Sequence, residues 1–352
     1  MIYFVAILCF IASILVTPLV KKFAIKIGAT DKPNQRKVHN KIMPRLGGLA
    51  IYISFMLGFV ILQPESDIVW PLIIGSSIII LTGFLDDLYE LSAKWKLIGQ
   101  IMAALVIVIF GIDVEFINLP FGGQLELGYL AIPLTVIWIV GITNAINLID
   151  GLDGLAAGVS SIALITISVM AFIMGDMFVV AVGTLLLMST LGFLFYNFHP
   201  AKIFMGDTGA LFLGFMIAVL SLLGFKNVAF ISLIVPVIIL GVPISDTFFA
   251  IIRRLVNKQP LSAPDKSHMH HCLLRLGYSH RKTVLVIYGM SAIFGLAAII
   301  FSQATLWVSV TVLFILLLAI EIIVEKIGLV GKEYKPILNF VQGIRYANSK
   351  KY

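Results

Sequence analysis

The chain has 352 residues, of which 60% are hydrophobic and only 12% are charged. Its mean hydropathy is +1.07, so its polar residues are too few to cover a soluble globule of this size. The composition therefore excludes a soluble enzyme and indicates an integral membrane protein, in which the formal net charge of +7 needs its own explanation. The two cysteines, Cys9 and Cys272, do not indicate a disulfide framework.

Apolar segments of about 20 residues recur along nearly the whole chain, and each is long enough to cross a hydrocarbon core of about 30 Å as a helix. They predict an all-α, polytopic membrane protein with about eleven transmembrane helices. The predicted spans are 1–20, 46–63, 70–86, 97–113, 129–146, 155–174, 177–196, 209–224, 228–249, 283–301 and 306–324. Lys21 and Lys22 follow the first span and no basic residue precedes it, which indicates a retained helix rather than a signal peptide.

The lysines and arginines indicate how the spans are oriented, because all of them except Lys226 lie on the side of the first loop. The polar segments of that side are 21–45, 86–96, 144–154, 197–208, 250–282 and 325–352. By the positive-inside rule this side is the cytoplasm, the N-terminus is outside and the C-terminus is inside. We predict one membrane domain over 1–324, with its active site in the cytoplasmic loops, and a basic cytoplasmic tail over 325–352. The positive charge then reflects topology and attraction to anionic lipids, so no nucleic-acid partner is expected.

The predicted outer loops are short, and none contains a pattern typical of catalysis. The longest, 116–128, has a Gly122-Gly123 turn that predicts a β-hairpin. No predicted span carries an ionisable residue near its middle, which argues against an ion- or proton-coupled transporter. We therefore expect any chemistry to face the cytoplasm.

The first cytoplasmic loop contains His39 and Lys41, and Gly47-Gly48 follows at the start of the second helix. Cations followed by glycines at a helix N-terminus can cradle a phosphate through backbone N–H groups, which predicts a substrate-binding role. The alternative is that the cations anchor the loop and the glycines only allow close helix packing.

Two adjacent acids, Asp86 and Asp87, follow the third helix, and Lys96 closes the same loop. Adjacent residues on a helix point about 100° apart, so the pair cannot serve one ligand equally. We expect one acid to face a metal ion and the other to face a substrate phosphate or Lys96. The alternative is that both are simply solvated.

The stretch from 144 to 154 places four oxygen-bearing side chains at three-residue spacing between two apolar spans. These are Asn144, Asn147, Asp150 and Asp153. Such spacing places neighbouring members on one side of a helical turn, and hard oxygen ligands suit Mg²⁺ or Mn²⁺ better than zinc or copper. The alternative for Asp153 is that it caps the next helix.

Two further polar segments complete the pattern. Asp207 precedes the eighth helix and is either its N-cap or a third acidic metal ligand. The fifth loop contains His268, His270 and His271, for which we favour binding of an anionic phosphate over binding of zinc. Acids for a metal ion and cations for phosphates together predict one phosphoryl-transfer site at the inner membrane boundary.

Four motifs in this order resemble those of the polyprenyl-phosphate N-acetylhexosamine-1-phosphate transferases. They are Asp86-Asp87 with Lys96, Asn144-x-x-Asn147-x-x-Asp150-Gly-x-Asp153-Gly, Met205-Gly-Asp207-Thr-Gly, and Pro264-Asp265-x-x-His268-x-His270-His271. The resemblance implies transfer of a sugar 1-phosphate from a UDP-sugar to a polyprenyl phosphate lipid, with release of UMP and a requirement for Mg²⁺. The helix number and the histidine motif resemble the N-acetylglucosamine branch, which begins teichoic acid or O-antigen synthesis.

The resemblance also implies roles for individual residues. Asp207 and Asn147 are expected to bind the metal, and Asp86 or Asp87 to orient or deprotonate the lipid phosphate. Lys96 and the histidines are expected to stabilise developing charge, Asp150 to be catalytic, and Asn144 and Asp153 to bind substrate. The alternatives are a muramoyl-pentapeptide transferase, a lipid-linked-sugar transporter, and a two-step route through an aspartyl phosphate on Asp207. The oligomeric state, a homodimer included, stays open.

Overall fold

The structure is a computed structural model, and it describes residues 1–31, 42–114, 116–118, 123–225, 234–260, 265, 267–331 and 334–340. These residues are mostly helical and form thirteen α-helices. The helices are α1 Ile2–Ile27, α2 Gly47–Leu62, α3 Val69–Tyr89, α4 Ala93–Ile109, α5 Ala131–Ile149, α6 Leu155–Met174, α7 Met177–Asn197, α8 Gly206–Phe225, α9 Ile234–Ile239, α10 Gly241–Val256, α11 Met269–Arg275, α12 His280–Gln303 and α13 Leu306–Ile327. The predicted all-α, polytopic membrane fold is thereby confirmed, and eight of the described helices are long and apolar enough to span a bilayer.

The ninth predicted span, 228–249, differs from the structure. Its described part consists of α9 and α10, which meet at Leu240. Pro243 has no N–H group to donate to the Ile239 carbonyl, and this missing hydrogen bond weakens the helix where α9 and α10 meet. The count of eleven spans and the sides of the two termini stay predictions.

Two short hairpins join helices. Strands β1 (Thr30–Asp31) and β2 (Met43–Pro44) pair antiparallel and close the first loop. Strands β3 (Phe116–Asn118) and β4 (Gln124–Glu126) pair with Phe116 opposite Glu126, which confirms the hairpin predicted between the fourth and fifth helices. The predicted glycine turn lies partly outside the described residues.

Helix α8 is the centre of the bundle, and α2, α3, α5 and α6 pack around it. Glycines permit the closest approaches: a Cβ atom on Gly83 of α3 would lie 2.5 Å from the Cα atom of Thr208, and one on Gly214 would lie 2.7 Å from the Cα atom of Thr143 in α5. Small residues therefore bring the last turns of α3 against the first turn of α8, and α5 against α8 two turns further along.

Candidate active site

Acidic side chains gather at the N-terminus of α8. Helices α3 and α5 run antiparallel to α8, so the contact of Gly83 with Thr208 brings Asp86 and Asp87 beside the start of α8. In the same way, the contact of Thr143 with Gly214 brings Asp150, seven residues further along, level with Asp207. Three distant segments of the chain thus supply carboxylates to one place.

Lys96 lies between two of these acids. Its Nζ atom donates to Asp86 Oδ2 at 3.0 Å and to Asp207 Oδ2 at 2.6 Å. Asp86 and Asp207 are therefore held near each other by a shared cation, with the lysine side chain 27% exposed. The structure brings these three predicted residues together, and their catalytic roles stay predictions.

Asp87 has different surroundings from its neighbour. Its carboxylate is 0% exposed and accepts from the N–H groups of Asp207 and Thr208, each at 3.0 Å, and from the Thr208 hydroxyl at 2.6 Å. Arg45 Nε lies 3.6 Å from Asp87 Oδ1. Asp87 therefore caps α8 from another helix, where a negative charge also favours the helix dipole. It fixes the position of Asp207 and is poorly placed to act as a base.

Asp150 follows the last residue of α5, and its carboxylate accepts no hydrogen bond from any described residue. Burial, and then the negative charges of Asp207 and Asp87, raise the pKa of this carboxyl to about 8. Asn147, one turn earlier, likewise has no side-chain hydrogen bond within the described part of the chain. Both oxygen-bearing groups are thus available to a cation or a substrate.

Asn144 and Asp153, the first and last of the four polar residues in the 144–154 stretch, have hydrogen-bond partners outside that stretch. The Asn144 amide donates to Gln100 Oε1 at 2.6 Å and accepts from Gln100 Nε2 at 3.3 Å, which links α5 to α4. Asp153 accepts from the Ala201 N–H group at 3.1 Å and lies 2.7 Å from His199 Nδ1. The helix ends before Asp150, so the four side chains do not line one wall, and the N-cap of α6 is Gly154 rather than Asp153. Asn144 and Asp153 therefore each have protein partners, and their substrate-binding roles stay predictions.

The two glycines at the start of α2 also have protein partners. The N–H group of Gly47 donates to the Phe204 carbonyl at 3.0 Å, and that of Gly48 donates to the Met205 carbonyl at 2.9 Å. A Cβ atom at Gly48 would overlap the backbone of Gly209. Close packing therefore explains both glycines, and the substrate-binding role of Gly47 and Gly48 stays a prediction. His39 and Lys41 lie outside the described residues.

The histidine motif reaches the same end of the bundle. His270 is 2% exposed, neither ring nitrogen has a partner among the described residues, and its ring fills the space where Gly151 lacks a side chain. Burial, and then neighbouring His271, lower the pKa of His270 to about 3, so this imidazole is neutral near pH 7. A charge-assisted hydrogen bond from His270 to phosphate is therefore not supported, and the ring is instead a neutral group beside the Asp150 loop.

His268 and His271 differ from His270 in their surroundings. His268 Nδ1 lies 2.9 Å from Asp246 Oδ2, and the Met269 N–H group donates to Asp246 Oδ1 at 2.7 Å. Asp246 of α10 thus holds the start of α11, although nothing beyond its position near a helix end marked it in the sequence. Burial lowers the pKa of the half-buried His271.

The family model for glycosyl transferase family 4 matches residues 69–225, which contain all four acids around α8. A Bacillus subtilis protein named probable undecaprenyl-phosphate N-acetylglucosaminyl 1-phosphate transferase is 54% identical to this chain over 95% of each protein. The chain belongs to glycosyl transferase family 4. The family resemblance expected from the four motifs is thus confirmed.

Further members of family 4 are also similar to this chain. A Thermotoga maritima undecaprenyl-phosphate alpha-N-acetylglucosaminyl 1-phosphate transferase is 30% identical over 81% of this chain and 86% of its own. A Staphylococcus carnosus phospho-N-acetylmuramoyl-pentapeptide-transferase is 30% identical over 84% of this chain and 98% of its own. The higher identity to the Bacillus subtilis protein favours the N-acetylglucosamine branch of the family.

Sequence reasoning gave no role to Arg45, although it contributes to this family 4 site. Besides Asp87, the guanidinium group lies 3.9 Å from Asp31 and 3.7 Å from Glu90. Burial opposes the charged form of Arg45, but the negative charges of Asp87 and Asp31, and then of Asp207 and Asp86, outweigh it and raise the pKa of Arg45. The position of Arg45 next to Gly47-Gly48 was its only signal in the sequence.

Proposed function

We propose that this protein transfers N-acetylglucosamine 1-phosphate from UDP-N-acetylglucosamine to undecaprenyl phosphate and releases UMP. The observation that carries the proposal is the position of Lys96, whose Nζ atom donates to both Asp86 and Asp207 at the N-terminus of the buried helix α8. The names of the Bacillus subtilis and Thermotoga maritima relatives support the same reaction. The product would begin the membrane stage of a cell-wall polymer such as teichoic acid.

The reaction joins two anions, so the cations of the site determine whether it can proceed. An oxygen of the lipid phosphate forms a bond to the phosphorus that carries the sugar. The bond from that phosphorus to the bridging oxygen breaks, and UMP leaves with the electron pair. A phosphate monoester has a second pKa of about 6 and is mostly dianionic at neutral pH, so direct attack needs no obligatory base.

The described side chains divide this work. Lys96 offsets the negative charge that both substrates bring to Asp86 and Asp207, and Asp86 orients the attacking phosphate through that lysine. Asp87 and Arg45 hold the first turn of α8 in place. His270 contributes a neutral imidazole beside the loop that carries Asp150. A two-step route with a phosphoryl group on Asp207 is the alternative, and labelled sugar phosphate trapped on the protein without lipid would support it.

The oxygen groups around α8 fit a hard divalent cation, Mg²⁺ or in its place Mn²⁺. Asn147 has no side-chain partner in the described part of the chain. The pKa of Asp150 is raised by burial and then by the negative charges of Asp207 and Asp87, and a cation would offset those charges. Asp207 and Asn147 would hold the ion. When bound, Mg²⁺ supplies neutralisation of the diphosphate oxygens.

We also propose that the site faces the cytoplasm of a bacterial cell, where UDP-sugars are available. The loops at this end of the bundle contain nearly all lysines and arginines, as the positive-inside rule requires of a cytoplasmic side.

The direct test offers purified protein each UDP-sugar in turn, with undecaprenyl phosphate and Mg²⁺, and measures UMP release and lipid product together. We expect UMP from UDP-N-acetylglucosamine only when lipid phosphate is present. Turnover of UDP-N-acetylmuramoyl-pentapeptide instead would identify the other family branch. Lipid movement across a bilayer without any UMP release would indicate a transporter.

A further inference from the structure

Apart from the cluster around Lys96, three metal-ligating side chains from three different elements converge. They are Asp153 in the loop after α5, His199 in the loop after α7, and His280 at the start of α12. One ligand atom of each lies within 4.8 Å of those of the other two. The His199 and His280 rings also stack, with their centroids 4.2 Å apart.

One of the three has an unsatisfied group. The Nε2 atom of His280 is buried and has no hydrogen-bond partner in the described part of the chain. A buried polar atom without a partner destabilises the folded protein, so a ligand that bonds to this nitrogen would bind more tightly for that reason. The His199 side chain, in contrast, is 36% exposed and accessible from solvent.

The donor set selects a class of ion. Two imidazole nitrogens with one carboxylate oxygen, and a fourth position left to water, form a common zinc arrangement, whereas Mg²⁺ prefers oxygen ligands alone. Tetrahedral zinc ligands lie about 3.3 Å apart, so the three side chains need only a small contraction, and the exposed His199 ring is the one able to turn.

We propose that Asp153, His199 and His280 form a binding site for Zn²⁺ or a chemically similar divalent transition ion, separate from the oxygen-lined site at Asp207. The ion would cross-link the two loops and α12. These elements are already connected around Gly154, whose N–H group donates to Asn197 Oδ1 at 3.1 Å and whose carbonyl accepts from the Tyr288 hydroxyl at 2.5 Å. A preformed framework lowers the ordering cost of metal binding.

The test titrates Zn²⁺ into the purified full-length protein by calorimetry, with excess Mg²⁺ present to occupy oxygen sites. We expect one saturable ion per chain and a rise in Tm with Zn²⁺ concentration, because an ion that binds only the folded state stabilises it. His199→Gln and His280→Gln should each weaken the affinity at least tenfold, whereas the matched control His271→Gln should keep it.

Zinc affinities within twofold of the wild type in both His199→Gln and His280→Gln would overturn the proposal, as would the absence of saturable binding. A second measurement needs no variant: Co²⁺ bound to the wild-type protein should show four-coordinate visible absorption without a thiolate charge-transfer band. A thiolate band would place the ion on a cysteine and would also overturn the proposal.

Discussion

Asp87, which is buried, and Asp150, which is half-buried, both lie beside the N-terminus of α8, yet their carboxylates have different hydrogen-bond partners. Asp87 accepts three hydrogen bonds and lies near Arg45. Asp150 accepts none from the described residues, and its pKa is raised to about 8 by burial and neighbouring negative charge. Burial, and then the charge of Asp207, also raise the pKa of the Asp87 carboxyl, to about 7, so the two acids differ in their hydrogen bonds and not in the direction of the pKa shift. The difference teaches that the fold holds the oxygens of Asp87, while those of Asp150 stay available to a ligand.

The largest effect should come from Asp207, whose negative charge acts on both Asp87 and Asp150. We predict that Asp207→Asn lowers the rate of UMP release by about 10³-fold, because it removes the proposed metal ligand and the carboxylate that holds Lys96 in place. Initial rates with UDP-N-acetylglucosamine and undecaprenyl phosphate measure this loss. A normal thermal unfolding profile serves as the control for folding, and a rate within tenfold of the wild type would remove Asp207 from the site.

Asp150→Asn should lower the activity of the protein without lowering its stability. We expect turnover to fall by about 10²-fold while stability stays the same or rises, since the substitution removes a buried charge that the folded state disfavours. A clear fall in Tm would show that Asp150 has a structural partner after all.

The raised pKa of Asp150 also predicts a pH effect on stability. Because its folded-state pKa exceeds the unfolded value of about 3.9, its stabilising contribution is complete below pH 4 and is lost as pH rises to about 8. With metal ions removed by chelator, the wild type should lose more stability than Asp150→Asn between pH 5 and pH 8. Parallel curves for the two proteins would contradict this explanation.

Asp87→Asn, in contrast to Asp150→Asn, should lower the stability of the protein. An amide nitrogen would face the N–H donors of Asp207 and Thr208, and we expect a loss of about 3 kcal/mol in the free energy of unfolding. Glu90→Gln, at the end of the same helix on an exposed side chain, is the matched control and should change stability by less than about 0.5 kcal/mol. Chemical denaturation of both variants gives the comparison, and equal stabilities would refute the capping role of Asp87.

The smallest effect should come from the paired amides of Asn144 and Gln100. Asn144→Ala leaves the buried Gln100 amide without its partner, so we expect a stability loss of about 1–2 kcal/mol and turnover within tenfold of the wild type. A loss of turnover of about 10²-fold with unchanged stability would instead support the predicted contact of Asn144 with the substrate.

The sequence predicted the helices and the meeting of Asp86, Lys96 and Asp207, because hydrophobic length and motif order reflect the fold directly. It could not predict which polar groups already have partners. Gly48 packs against Gly209, and Asn144 pairs with Gln100 on another helix. Such long-range pairs depend on helix packing rather than on local pattern, and the same holds for the cap that Asp87 provides to α8.

The central claim is that Lys96 and Asp207 act as one unit in phosphoryl transfer. A double-mutant cycle of UMP release with Lys96→Met and Asp207→Asn tests it most directly. We predict that each single variant loses about 10³-fold in turnover and that the double variant is hardly slower than either. Losses that multiply in the double variant would show that the two residues act independently and would contradict the shared site.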